Sequence, residues 1–170
     1  TFDLNALMVL KSRYLRKDEN GKLMETPKQL FTRVAVHAAL PDLFYDLRVF
    51  DSNAKQKELP IEEFDNLKWK SKVSIGKYKL NKYHLEALKR VYDRFNSKKQ
   101  MKVSWSEFFD ILKDGKFDKY ELTVDDFYNL MTERKFIPNT PAIANFGNPL
   151  GMGSACFVLD IEDSMESIME

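Results

Sequence analysis

The organisation of this chain turns on the stretch Phe136-Ile-Pro-Asn-Thr-Pro-Ala-Ile-Ala-Asn145-Phe-Gly-Asn-Pro-Leu-Gly-Met-Gly-Ser-Ala-Cys156-Phe-Val-Leu-Asp-Ile161. Pro138, Pro141 and Pro149 each hold the preceding residue extended, and Gly147, Gly151 and Gly153 permit tight bends, so no helix is expected to run through it. The segment then delivers Cys156, the sole cysteine, to the start of a β-prone run, Cys156–Ile161. Asp163 or Ser164 follows as the N-cap of a closing helix through Ile168. One strand has no sheet to join here, so its backbone partners are expected beyond Glu170 or in another chain.

Upstream the grammar is helical. Leu4, Leu7, Met8, Leu10, Tyr14 and Leu15 recur at helical spacing, and the polar run Lys17–Gly21 ends that helix in an Asn-Gly turn. Thr26, Pro27 and Gln29 form a capping box that opens a second helix carrying Leu30, Phe31, Val34, Ala35 and Ala38 and ending near Leu40-Pro41. A short helix is expected from Pro60 to about Trp69, then a Lys/Ser-rich link ending near Gly76. Asn81–Phe95 reads as a helix with Leu85, Leu88, Val91, Tyr92 and Phe95 on one side. Ser104 and Glu107 cap another that Gly115 closes. Thr123 is expected to cap the last, with Phe127, Leu130 and Met131 inward and Asp125 and Asp126 at its positive end. The chain therefore reads as mainly α: a helical N-terminal domain over 1–136, followed over 137–170 by a loop and first strand of something larger.

A chain of 170 residues with 44% hydrophobic content can bury a core. Its 27 basic and 26 acidic residues nearly cancel, so bulk charge gives no case for nucleic acid or an anionic membrane. No apolar run is long enough to span a membrane. A lone cysteine excludes an internal disulfide framework and suggests a reducing, cytoplasmic setting. The chain starts on Thr1 and stops inside what reads as a new helix, as expected of a fragment or of one piece of a split protein.

Residue chemistry alone leaves Cys156 open. A thiol approached by a glycine-lined loop can be a nucleophile, a metal ligand or a redox group, and equally a small buried hydrophobe. A metal site is disfavoured, because Cys156, His37 and His84 have no recognisable ligand spacing. Thr140 can offer its hydroxyl and N–H to an anion, or simply precede a proline; Asp163 can accept from a sugar hydroxyl, cap a helix, or do both.

Asn139-Thr-Pro141, Asn145, Gly147, Ser154-Ala-Cys156-Phe-Val-Leu159 and Glu162-Asp-Ser-Met-Glu-Ser-Ile168, in that order, resemble the signature of the ribonucleotide reductase large subunit. The opening Asn5–Leu15, Lys17–Gly21 and Glu25-Thr-Pro27 are similar to the helical region preceding its barrel, especially in adenosylcobalamin-dependent members. Between about Asp51 and Tyr120 the resemblance lapses. Two positions depart from the pattern: Phe146 stands where a small residue is usual, and Met152-Gly153 where Gln-Leu is.

The resemblance implies that the strand at Cys156 begins a ten-stranded α/β barrel and that Cys156 is one of two thiols reducing the ribose 2′-carbon. It implies substrate contacts at Thr140, Ser154 and Ala155, and effector contacts at Asp163 and Ser164. A radical cysteine, the second reducing cysteine and a carboxylate base would come from the remainder of the catalytic subunit, so the chain alone would be inactive. Expected partners are a ribonucleotide, a dNTP or ATP effector, a thioredoxin-like reductant and a second copy of the complete subunit in a homodimer. The cofactor would be adenosylcobalamin bound outside this segment, or alternatively a dimetal radical-generating subunit. The competing reading is a non-catalytic helical interaction module.

Overall fold

Helix α2, Pro27–Ala39, is the element on which the others converge, and its start obeys the sequence. The Thr26 hydroxyl accepts from the Gln29 N–H at 3.3 Å while Gln29 Oε1 accepts from the Thr26 N–H at 2.8 Å. Its apolar face, Leu30, Phe31, Val34, Ala35, Val36 and Ala39, is buried, and Leu40–Tyr45 continues past Pro41 as a 3₁₀ segment. These features belong to a computed structural model, which describes residues 2–65, 73–149 and 151–154.

Ahead of α2, Asp3 caps α1, Leu4–Val9, through a 2.7 Å bond to the Ala6 N–H. A π-helical turn, Leu10–Tyr14, follows. Its wider pitch changes the face presented, which corrects the reading of one continuous apolar stripe: Leu10 and Leu15 are buried, whereas Leu4 and Met8 are 73% and 61% exposed.

No helix forms over 60–65, against expectation, and 66–69 lie outside the described residues. Instead the stretch is held by long-range bonds, to the backbone of Leu59 and to the side chain of Glu62. Asn96 accepts from the Leu59 N–H at 2.9 Å and donates to its carbonyl at 2.7 Å, and Glu62 accepts from the N–H and hydroxyl of Ser106. The link before Gly76 ends in a hairpin that the pattern did not announce. β1, Ser74–Ile75, pairs antiparallel with β2, Tyr78–Lys79, around Gly76 at positive φ.

Helix α3, Lys82–Ser97, opens on a capping box of Asn81 with His84, and α4, Trp105–Lys113, on the expected box of Ser104 with Glu107. Gly115 closes α4 as anticipated: its N–H bonds the Leu112 carbonyl and the Lys116 N–H the Ile111 carbonyl. The same pair of bonds ends α3 at Lys99 and α5 at Arg134, although neither is glycine. Helix α5, Glu121–Thr132, is not capped by Thr123. The 3₁₀ turn Asp118–Tyr120 feeds directly into it, and the Glu121 N–H already bonds the Asp118 carbonyl. Val124 and Met131 face inward and Phe127 is half-buried, but Leu130 is exposed. Asp125 lies beyond the first turn and holds the hairpin instead, accepting from Lys77 Nζ at 2.9 Å and from the Tyr78 hydroxyl.

The core is aromatic. Phe44 and Phe108 stack with centroids 4.8 Å apart, Trp105 stacks on Phe108 at 5.7 Å, and Tyr92 and Phe117 close the cluster. Each such side chain buries roughly 150–250 Å². At its edge Asp46 accepts from Arg48, which holds its carboxyl well below the usual carboxylate range, and pairs with Lys119 at 2.8 Å.

Candidate functional site

The stretch expected to be free of helix contains one. Thr140–Asn145 forms α6, with Pro141 in its first turn, where a missing N–H costs nothing and the fixed φ suits the helix. Asn139 sits at the N-cap but its side chain makes no capping bond, and its amide nitrogen is turned to the loop instead. Asn139 Nδ2 donates to the Gly153 carbonyl and Asn145 Nδ2 to the Met152 carbonyl, each at 3.1 Å. These two clips fold the segment back onto α6 immediately before Ser154. Gly147 and Gly151 supply the bends at positive φ, as the sequence suggested.

Thr140 and Ser154 are thereby carried on one closed loop, both exposed. The Tyr14 hydroxyl lies 3.3 Å from Thr140 Oγ1, tying the loop to the π-helical turn. Ala155, Cys156, Asp163 and Ser164 lie outside the described residues, as do the strand expected over Cys156–Ile161 and the helix expected through Ile168.

The far end of the loop is held by a buried polar clamp. Arg33, on α2 and 5% exposed, donates to the Phe146 carbonyl and reaches the Ile143 carbonyl at 3.5 Å, so it serves the otherwise orphaned C-terminal carbonyls of α6. Glu25 neutralises it with two bonds, 3.1 Å to Nε and 2.9 Å to Nη2. The Gly147 N–H donates to His37 Nδ1 at 3.1 Å, and its carbonyl accepts from Asn81 Nδ2 at 3.0 Å. His84 is also inside: its Nδ1 accepts from the Asn81 N–H at 3.1 Å and its Nε2 lies 3.0 Å from the Arg33 carbonyl.

Both histidines act as neutral acceptors. Burial first, then the neighbouring Arg33 and Arg90 charges, lowers His37 to about 4; burial lowers His84 to about 3, outweighing the bond to the Arg33 carbonyl. Gly147 is obligatory here. A Cβ on it would lie 2.5 Å from both Arg33 Cγ and His84 Nε2, in a backbone conformation with φ +70°.

The two departures from the family pattern explain one another. Phe146 stacks on His37 with centroids 4.4 Å apart, and a Cβ at Gly153 would lie 2.7 Å from Phe146 Cε1. A bulky residue before the glycine turn requires a small one before Ser154. Sequence reasoning missed the clamp itself. The signal was present in Arg33, a cation three residues after Leu30 in the apolar stripe of α2, and in two histidines whose spacing speaks only against a metal site.

Among the described residues no group of three or more His, Cys, Asp or Glu gathers as a metal site. With His84 bonded through both ring nitrogens and His37 engaged through Nδ1, the described residues do not fit a resident cobalt centre. No described helix is long and apolar enough to cross a membrane.

Residues 1–151 match the ribonucleotide reductase all-alpha domain, and the chain belongs to that family, as the N-terminal helical domain of its large subunit. Among its relatives is the vitamin B12-dependent ribonucleoside-diphosphate reductase of Thermoplasma acidophilum, 35% identical over 167 residues. That similarity covers 98% of this chain and 20% of the relative, so the chain spans about a fifth of that protein. Enzymes of the same description from two Mycobacterium tuberculosis strains, H37Rv and CDC 1551, are 48% identical over 42 residues, 25% of this chain and 6% of theirs. No solved structure matches the chain significantly.

Proposed function

We propose that this chain is the N-terminal part of a catalytic subunit that reduces ribonucleotides to 2′-deoxyribonucleotides, with the helical domain over 1–136 presenting the lead-in of the α/β barrel over 137–170. The observation that carries the reading is the clipped loop: Asn139 and Asn145 spend both amides on holding Met152 and Gly153 against α6, at the point where the chain runs into Ser154-Ala155-Cys156.

In this reading Cys156 and a second thiol from the remainder of the subunit each give one electron and one proton to the ribose 2′-position. The 2′-hydroxyl leaves as water, a hydrogen takes its place, and the two sulfurs end as a disulfide. A dithiol of the thioredoxin kind then returns them to thiols by exchange. A third cysteine, as a thiyl radical, removes the 3′-hydrogen at the outset and returns it to the 3′-carbon at the end, which regenerates the thiyl radical. Adenosylcobalamin, bound outside this segment, would supply that radical; the names of the relatives favour it over a dimetal subunit. Thr140 offers its hydroxyl to the substrate phosphate, with Tyr14 fixing its direction, and Ser154 and the main chain at Ala155 line the ribose. Asp163 and Ser164 hold the effector deoxyribose, in a homodimer of the complete subunit.

The test is Cys156→Ser in the complete subunit. Multiple turnover with a dithiol reductant is expected to disappear while nucleotide binding persists; full turnover would return Cys156 to a packing role.

A further inference from the structure

Arg33 and Asn81, which hold the Phe146–Gly147 turn, and His84, which bonds them both, also form part of the wall of a second feature, a cleft of about 500 Å³ between α2 and the β1–β2 hairpin. Its size is that of a small-molecule site. Three cations line it without forming an ion pair to any described residue: Arg16 from the loop before α2, Lys28 from the first turn of α2, and Lys79 from β2. Its other cations are already matched, Arg33 by Glu25 and Lys77 by Glu121 and Asp125. Glu25, the carboxylate on the described wall, is consumed by Arg33 and by the Arg16 N–H.

Arg16, Lys28 and Lys79 reach this one cleft from three separate segments, with no carboxylate left free on its described wall to offset them. Such a cluster costs self-repulsion that a bound anion removes. Lys28 sits at the positive end of the 13-residue α2, which adds to the same field. Met24, Val36 and Tyr78 supply an apolar wall beside the cations. We propose that this cleft binds a phosphorylated small molecule, its phosphates on Arg16, Lys28 and Lys79 and any planar group against Met24 and Tyr78. The site is separate from the Thr140–Ser154 loop and goes beyond the reductase reading. It needs neither Cys156 nor turnover, so either can fail without the other.

The experiment is calorimetric titration of the full chain with inorganic tripolyphosphate, ATP, adenosine and sulfate at fixed ionic strength. Tripolyphosphate and ATP are expected to bind at one site and adenosine not to bind; tighter ATP binding would assign the apolar wall to the base, and equal affinity would make the ligand the polyphosphate itself. Lys28→Glu with Lys79→Glu, neither of which bonds the loop, is expected to weaken both by about a hundredfold, a factor of about ten for each charge-assisted hydrogen bond removed. Circular dichroism would confirm that the variant is folded. Sulfate binding as tightly as tripolyphosphate, or the folded double variant binding as tightly as the parent, would overturn the proposal.

Discussion

Around Trp105, Phe108 and Tyr92 the chain is held by stacked and edge-on rings, whereas the Phe146–Gly147 turn is held by hydrogen bonds from Arg33 and Asn81 and by one to His37. The first region is tolerant in direction, since apolar contact is roughly proportional to area. The second is directional: each donor must meet its acceptor, and a missing partner leaves a buried polar group unsatisfied. A helical body built on area can therefore carry a loop positioned by bond geometry, and the two should respond differently to the same kind of insult.

The largest effect separates them. Phe108→Ala is expected to cost about 4 kcal/mol through reduced transfer energy and the cavity left behind, and to lower the whole unfolding transition. Gly147→Ala should cost about 3 kcal/mol through its left-handed backbone and the collision with Arg33 and His84, but locally. Native-state hydrogen exchange is the discriminating measurement. The clamp account expects amides of 139–153 to lose protection while those of α3 and α4 keep it; uniform loss across the chain would merge the two regions.

Acid should act on the clamp first. In the unfolded chain both histidines titrate near 6.5, and in the fold at about 4 and about 3. Below pH 6.5 the unfolded state therefore binds protons that the folded state refuses, so stability falls as pH drops, by about 2 kcal/mol for each histidine and roughly 4 kcal/mol for the pair by pH 5, and is nearly unaffected by these groups above about 7. Asp46, whose carboxyl is depressed by Arg48, adds its own loss only below the ordinary carboxylate range. Urea midpoints against pH check this. A flat profile from pH 7 to 5 would mean that the histidines are not held neutral inside.

The smallest effect is the sharpest in detail. Gly153→Leu should destabilise the loop by about 2 kcal/mol, and Phe146→Ala in the same chain should recover most of that, a coupling of about 1 kcal/mol or more. Additive costs in the double-mutant cycle would show that the two family departures are unrelated.

What the sequence made legible follows the same division. α2 and α4 with their capping boxes, the apolar stripe of α3, and Gly115 as a terminator were readable because caps and apolar periodicity act over three or four residues. The ends of α3 and α5 were not, since Lys99 and Arg134 adopt the conformation that glycine usually announces. The 60–65 segment misled because it is held by long-range bonds, from Asn96 to the backbone of the adjoining Leu59 and from Ser106 to the Glu62 carboxylate, up to 44 positions away. In the site, Asn139, Thr140, Asn145, Gly147 and Ser154 stood out as a motif. Arg33 and His37 did not, because each meets the 146–147 turn 113 and 110 residues along the chain, a separation over which no local pattern speaks.

The most direct trial of the central claim is a thiol-trapping measurement on the complete subunit. The reduced enzyme is mixed with ribonucleotide in the absence of any dithiol, quenched after one turnover and alkylated, and the state of position 156 is read by mass spectrometry. The account predicts that Cys156 escapes alkylation in proportion to the deoxyribonucleotide formed, having become half of a disulfide. Product formed with Cys156 still fully alkylated would contradict it.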